Sequence, residues 1–406
     1  MAALRASSGR RLSATRGELR GQLVILAVVL WAVALVNTAT PTRQLRSGQI
    51  KGTDFVQFYT LGRLAAEGHA DQFDDYGAIR RTQLAAVPES ENVVFPPVYG
   101  PQVPIALSPL GHLTYESALL TWVTLSVVVY FFFVWLLARA APRLRMHVGL
   151  TCLGAAAFPP FWQLVQHGQL TMVAVTALVG AWWALRSGRE VAFGACLGLL
   201  AYKPPLVAPV LILLLFIRAW RPLAAASVVG LAQVLVAAWW IGLAGVWRYV
   251  DLLLGLPGMA SALRSNPAQT HGWRGFLELL LGESVPVTVL SAVLILATLV
   301  LAAAIWRRVS DPSLRMAVLS VTVALAAPYL FVYDLAILAP AWIWLVDWFL
   351  RQPVPASVGR ALYLGYLSPL FAPAMPYIRF QISVPVMAFL LVSVWRWTRA
   401  HEEVGS

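Results

Sequence analysis

Apolar runs long enough to cross a bilayer recur along this chain from Gly21 to Trp397, and no hydrophilic stretch between them could hold a soluble domain. A helix of about 20 apolar residues spans the hydrocarbon core. Charged residues make up only 12% of the 406, and mean hydropathy is +0.72; soluble chains carry about 25% charged residues. The expected fold is an all-α polytopic membrane protein, one membrane domain over residues 1–406 with about 12 transmembrane helices.

The predicted spans lie near 22–38, 117–138, 147–165, 169–186, 190–202, 204–218, 222–243, 286–305, 314–328, 331–350, 357–373 and 380–398. Residues 101–110 are too short and too proline-rich to be counted with them. The formal charge of +12 does not point to nucleic acid, because the basic residues sit in short arginine clusters between apolar runs. That arrangement is a topology signal. With the N-terminus inside, inner segments hold 19 of the 30 basic residues, and 12 of the 18 acids lie outside. The expectation is a cytoplasmic tail over 1–21, an uncleaved first span, a second cytoplasmic tail over 399–406, and two long external loops, 39–116 and 244–285. Long loops in a compact protein are usually functional or disordered, and these are too aromatic for disorder. Cys152 and Cys196 lie in apolar segments and read as small core residues.

Lys203 stands out. The 13 residues at 190–202 give only about 20 Å of helix, and Tyr202-Lys203-Pro204-Pro205 then breaks it. Freed backbone groups at such a break must face protein or a wet cavity. A cation below the membrane surface is a functional candidate, although a lysine at a span end can also snorkel. In the first loop, Asp54 precedes a stretch, 55–66, whose Phe55, Phe58, Tyr59 and Leu61 could lie on the membrane surface. Thr53 or Asp54 could cap that helix, and a carboxylate fixed there would suit a general base. Asp74-Asp75 reads as a turn and a second cap. His167 and Gln169, and Asn266, Gln269, Thr270, His271 and Arg274, offer donors suited to sugar hydroxyls or phosphate. Tyr333-Asp334 opens a span from the outer side, where Asp334 either complements the helix N-terminus or binds substrate. The chain has no nucleotide-binding glycine fingerprint, no His-x-x-x-His pair and no nucleophile elbow. The acids are spread too far apart to suggest a metal site.

Several of these motifs recur together in one family. Thr53-Asp54-Phe55 with Tyr59, Phe95-Pro96-Pro97 with Pro104 and Pro109-Leu110, Gly168-Gln169, Tyr202-Lys203-Pro204-Pro205, and Tyr329 with Tyr333-Asp334 follow the order seen in glycosyltransferase family 87 of the GT-C superclass. The chain resembles that family over about residues 50–350, with Thr171 standing where the family's pattern has an asparagine. The resemblance implies a GT-C-type bundle and a polyprenyl-phosphate-sugar-dependent transferase, similar to mannosyltransferases that elongate phosphatidylinositol mannosides. On this reading the donor is a lipid-linked sugar phosphate, mannose foremost, and the acceptor a lipid or envelope glycan. No resident cofactor, metal or nucleic acid is expected. The site lies at the outer face of a bacterial inner membrane. Asp54 matches the family's catalytic aspartate, and Lys203 would hold the donor phosphate. The further candidates for substrate binding are Tyr59, His167, Gln169, Tyr202, Asn266, His271, Tyr333 and Asp334. A flippase for a lipid-linked sugar is the main rival, but it would more often show two matching halves. A non-catalytic scaffold is the third reading.

Overall fold

The computed structural model describes residues 16–92, 99–255 and 267–402. Within them the chain is helical, with no strands. From the N-terminus, α1 (Arg16–Thr38) leads to a loop region holding α2 (Phe55–Ala66), α3 (Tyr76–Ala86) and α4 (Gln102–Gly111). Then come α5 (Tyr115–Ala140), α6 (Val148–Ala156), α7 (Pro159–His167), α8 (Thr171–Arg186), α9 (Glu190–Gly198), α10 (Pro204–Phe216) and α11 (Trp220–Gly255). After the second undescribed stretch follow α12 (Trp273–Leu281), α13 (Val285–Arg308), α14 (Pro312–Ala326), α15 (Leu338–Arg351), α16 (Ala356–Leu367), α17 (Met375–Ile378) and α18 (Ser383–Glu402).

Every predicted span coincides with helix, but the helices are of two kinds. Among the described residues, five helical stretches are long and apolar enough to cross a membrane, or six if the bent pair α6–α7 is one span. Four others, α8, α9 with its 3-10 turn, α10 and α14, run for only 10–17 residues. Burial explains the difference. From Met316 to Ala326 every residue of α14 is buried, and α8 is nearly as enclosed, so these helices are sheathed by protein. By contrast α1, α5, α11 and α13 expose Ile25, Leu120, Val228 and Val293. Large apolar side chains displayed in rows suit a lipid-facing ring. Cys152 and Cys196 are free thiols, partly buried among apolar neighbours.

Prolines set the breaks. Pro159 and Pro160 open α7 after a 53° bend from α6, and Pro204 and Pro205 open α10. Proline suits the first helical turn, because its missing N–H has no intrahelical partner there. In α11 the bend falls at Gly242, whose φ of 71° is open to glycine at little cost. The predicted span 222–243 therefore ends where the helix turns, and the first part of the expected 244–285 loop continues as helix to Gly255.

The first loop corrects one expectation. The apolar face of α2 does not lie on the membrane: Phe55, Phe58, Tyr59 and Leu61 are buried, in a helix packed against α4 and α5. The approach of α2 to α4 is close because both carry glycine at the crossing. A Cβ on Gly111 would stand 2.6 Å from the Gly62 carbonyl oxygen. An amphipathic period cannot tell a bilayer from a protein neighbour, since both reward the same stripe. Residues 102–111, too short for a span, are the helix that fills this role. The Phe95-Pro96-Pro97 segment and Asn266 lie outside the described residues.

Candidate functional site

Asp54 sits at the entry to α2, yet its side chain makes no cap hydrogen bond. Capping is left to others in this loop: Asp75 caps α3 by accepting from the N–H groups of Gly77 and Ala78, as its turn position predicts. The half-buried Asp54 carboxylate turns elsewhere. Its Oδ2 accepts a 2.5 Å hydrogen bond from Gln169 Nε2, and the Tyr333 hydroxyl lies in hydrogen-bonding reach.

The meeting of Asp54 and Gln169, 115 residues apart in sequence, depends on Gly168. This glycine ends α7 with φ 64°, the left-handed conformation that glycine adopts without penalty. It also has no room for a side chain, because a Cβ there would stand 2.7 Å from Phe55 Cβ. Both demands select glycine, and together they press the end of α7 against the start of α2. Gln169 then projects directly onto Asp54.

Gln169 is itself buried, with 1% of its surface exposed. Its Oε1 accepts from the Tyr99 hydroxyl and from the Leu170 N–H, both at 3.3 Å, and its carbonyl accepts from Trp122 Nε1. Burial, with Asp334 and Asp54 nearby, pushes the Tyr99 phenol well above its ordinary range, so it remains a donor. The Tyr99 ring stacks on Tyr202 at 6.4 Å, and the Tyr202 hydroxyl donates to the Leu170 carbonyl. The His167 ring lies 5.6 Å from that of Tyr333, and its Nδ1 pairs with the Gln163 carbonyl.

Beside this cluster stands a second one. Lys203 has extended backbone at the entry to α10, which directs its side chain across the break. Its Nζ donates to both oxygens of Asp334, at 2.7 and 2.6 Å. Thr171 Oγ1 donates to Asp334 Oδ1 at 2.9 Å, and the Phe331 N–H donates to Oδ2 at 3.1 Å. Asp334 is wholly buried, whereas the Lys203 side chain keeps 12% of its surface exposed. Four donors fill the acceptor capacity of the carboxylate. Asp334 is therefore engaged by Lys203, Thr171 and the backbone at the helical turn it opens. Lys203 retains a hydrogen for another partner. Its Nζ lies 5.6 Å from the Tyr99 ring centre and 5.7 Å from that of Tyr333, so these two tyrosines join the Asp54 and Lys203 clusters into one site.

Of the predicted residues, Asp54, His167, Gln169, Tyr202, Lys203, Tyr333 and Asp334 converge. Tyr59 does not join them. Its hydroxyl donates to the Leu113 carbonyl at 2.8 Å and its ring packs on Tyr115, which is structural work in the first loop. Tyr99 and Trp122 are additions that no motif signalled individually, and Thr171, noted only as a departure from the family's pattern, joins them by donating to Asp334. A signal did exist for Asp334, since a cation in apolar surroundings calls for a counterion and few acids lie near outer span ends.

His271 is buried against Ser383, whose Oγ lies 2.8 Å from Nδ1; Nε2 has no partner. Burial lowers its pKa to about 4, so the ring is neutral in the folded protein. Because the unfolded chain binds this proton from about pH 6.5 downward, the stability held by the neutral ring is complete above pH 6.5. It falls as the pH drops towards 4, by on the order of 3 kcal/mol. Thermal unfolding followed from pH 7 to 4 should show this loss, and His271→Phe should flatten the curve. An equally steep curve in the variant would assign the loss to other groups.

A family model for glycosyltransferase family 87 matches residues 98–333, more than half of the 406. The matched stretch takes in Tyr99, His167, Gln169, Thr171, Lys203 and Tyr333, and begins after Asp54. No curated protein and no solved structure matches the chain. With its apolar helices and this match, the chain belongs to glycosyltransferase family 87 and is a membrane glycosyltransferase.

Proposed function

We propose that the protein transfers a hexose, mannose foremost, from a polyprenyl-phosphate donor to a lipid or envelope-glycan acceptor at the outer face of a bacterial inner membrane. The observation that supports this best is a carboxylate at a helix entry that caps nothing and is held instead by Gln169, with Tyr99 and Tyr333 linking it to the partly buried Lys203. In this reading the acceptor hydroxyl oxygen attacks the anomeric carbon while Asp54 takes its proton. The bond from that carbon to the phosphate oxygen breaks, and polyprenyl phosphate leaves with the electron pair. Attack opposite the leaving group inverts the anomeric centre. Lys203 meets the charge that develops on the departing phosphate, using the hydrogen not given to Asp334. A phosphate leaves without strong protonation, so no second carboxylic acid is required, unlike the paired carboxylates of glycosidases.

Purified protein given labelled polyprenyl-phosphate sugars and lipid acceptors tests the reaction. Product formed without a nucleotide sugar supports the transferase, whereas movement of unmodified lipid across the bilayer would support a flippase.

The full topology of about 12 spans, with both termini cytoplasmic, belongs to the same proposal. His69 and Ser187 are both exposed and fall on opposite sides of it. In a variant lacking Cys152 and Cys196, His69→Cys should react with a membrane-impermeant thiol reagent in intact spheroplasts. Ser187→Cys should react only after lysis. The opposite pattern would move Asp54 to the cytoplasmic face and end the use of an external donor.

A further inference from the structure

We propose that Gln169 is a positioning residue for Asp54 rather than a ligand of the sugar, and that the Leu170 N–H, with the Tyr99 hydroxyl beside it, fixes the direction in which its amide points. The proposal rests on Asp54 being the base of the transferase reading. It starts from the polar atoms of Gln169, all of which meet protein. A buried glutamine can present either its oxygen or its nitrogen to a neighbour, and only the surrounding donors and acceptors decide between them. Here the choice is decided by the Leu170 N–H, which can only donate, with the Tyr99 hydroxyl beside it. The Tyr99 hydroxyl and the Leu170 N–H both approach one end of the amide, so that end must be the oxygen. The NH₂ end is left facing Asp54 Oδ2. Reversing the amide would set its carbonyl against a carboxylate and its NH₂ against the Leu170 N–H, losing two hydrogen bonds in a buried place, although the Tyr99 hydroxyl could turn to accept.

Two features make this more than packing. Gly168 has a conformation and a clearance whose effect is to bring Gln169 onto Asp54, and the contact crosses from α7 to α2 rather than staying within one element. The carboxylate also has no cap hydrogen bond to hold it. Without Gln169 it keeps the Tyr333 hydroxyl as a neighbour, and the side chain could rotate toward the N–H groups of the first turn of α2, where aspartate is a favoured cap. The amide therefore keeps Asp54 aimed at the acceptor instead of at its own helix. A misplacement of about 1 Å at a reacting group can cost around a hundredfold in rate.

The test is a pH–rate profile of transfer for full-length protein in lipid nanodiscs, using a labelled polyprenyl-phosphate sugar and a defined acceptor. Gln169→Glu nearly preserves shape but places two carboxyl groups at hydrogen-bonding distance. Such a pair titrates as a unit, and one of its steps is strongly raised. The other groups facing this position are Tyr99, Tyr115, Tyr333 and the Lys203–Asp334 pair. All of these are unchanged in the variant, so a new limb between about pH 5 and 8 would report the introduced carboxyl sharing a proton with Asp54. Activity should be highest where the pair holds one proton. Gln169→Leu should lower kcat by about tenfold or more while leaving both KM values within about threefold. Tyr99→Phe, which removes one of the two donors on the amide oxygen and leaves the Leu170 N–H, should lower kcat by a smaller factor in the same way. A wild-type pH profile in Gln169→Glu would overturn the proposal. So would a raised acceptor KM with intact kcat in Gln169→Leu, which would mark Gln169 as a sugar ligand. Should Gln169→Leu fail to fold, the Gln169→Glu profile still decides. Transfer surviving Asp54→Asn would defeat the base assignment by a separate route, so the two failures are distinguishable.

Discussion

Asp54→Asn is expected to reduce transfer to below about one per cent of wild type, since a positioned general base contributes roughly 10²–10⁴-fold. The substitution is nearly isosteric, and asparagine caps a helix as well as aspartate does. Asp54 provides no cap here, so helix stability offers no competing explanation for a loss. The introduced amide can also accept from Gln169 through its oxygen, which keeps the local contact while removing the basic group. Asp54→Glu should be poor as well, because one methylene shifts the carboxylate by about 1 Å. Asp75→Asn is the control: it keeps a good cap for α3 and should behave as wild type. Initial rates at saturating donor, alongside donor binding and expression, check all three. Retention of most activity in Asp54→Asn would end the catalytic assignment.

Lys203→Ala is expected to destabilise the protein by about 3–5 kcal/mol, the usual cost of removing one partner of a buried ion pair. The reason is Asp334, which is wholly buried and would be left charged with only the Thr171 hydroxyl and one backbone N–H. The pair is asymmetric. Asp334→Asn should cost less, because the amide oxygen still accepts from Thr171 and the partly exposed ammonium can move toward water. The double variant Lys203→Met/Asp334→Asn removes both charges and should recover most of the stability. It should not recover donor use if Lys203 is the cation for the departing phosphate, as proposed. Thermal unfolding in nanodiscs separates these outcomes from donor KM and kcat. A melting temperature for Lys203→Ala equal to wild type would show that the pair holds nothing together. Normal donor kinetics in the double variant would remove Lys203 from the reaction.

The positions of the helices were legible in the sequence because hydropathy is a local property. Each predicted span falls on helix, and the Tyr202-Lys203-Pro204-Pro205 break appears where the prolines set it. Asp75 as a cap was legible for the same reason, since capping involves neighbours within one turn. What surrounds each helix was not. The stripe on α2 fitted a membrane surface as well as it fits α4 and α5, and only the glycines Gly62 and Gly111 hinted at a close protein neighbour. The site divides along the same line. Asp54 and Lys203 could be singled out by their settings, but their partners Gln169 and Asp334 lie 115 and 131 residues away, and a side-chain pairing over that distance leaves no periodic trace. Gln169 was legible as a polar residue in a turn, which suggested a sugar ligand. The glycine before it held a clue to its contact with Asp54, because a residue forced into the left-handed region at a helix end also aims its successor.

The Lys203–Asp334 pair also has a bearing on how the chain is made. The two residues are separated by 131 positions, and the lysine is synthesised first. At about 5–20 residues per second, roughly 7 to 26 s pass before its counterion emerges. During that interval the ammonium stands at a helix break among apolar segments without the carboxylate that later encloses it. Water, lipid phosphate or the insertion machinery must carry the charge until α14 and the 3-10 turn that leads into α15 arrive. Closing the pair is then a late event of assembly, and it ties the last third of the molecule to its middle. A ribosome stalled shortly after Ala326 would hold a nascent protein with Asp54 and Gln169 already made, but with Lys203 still unpaired.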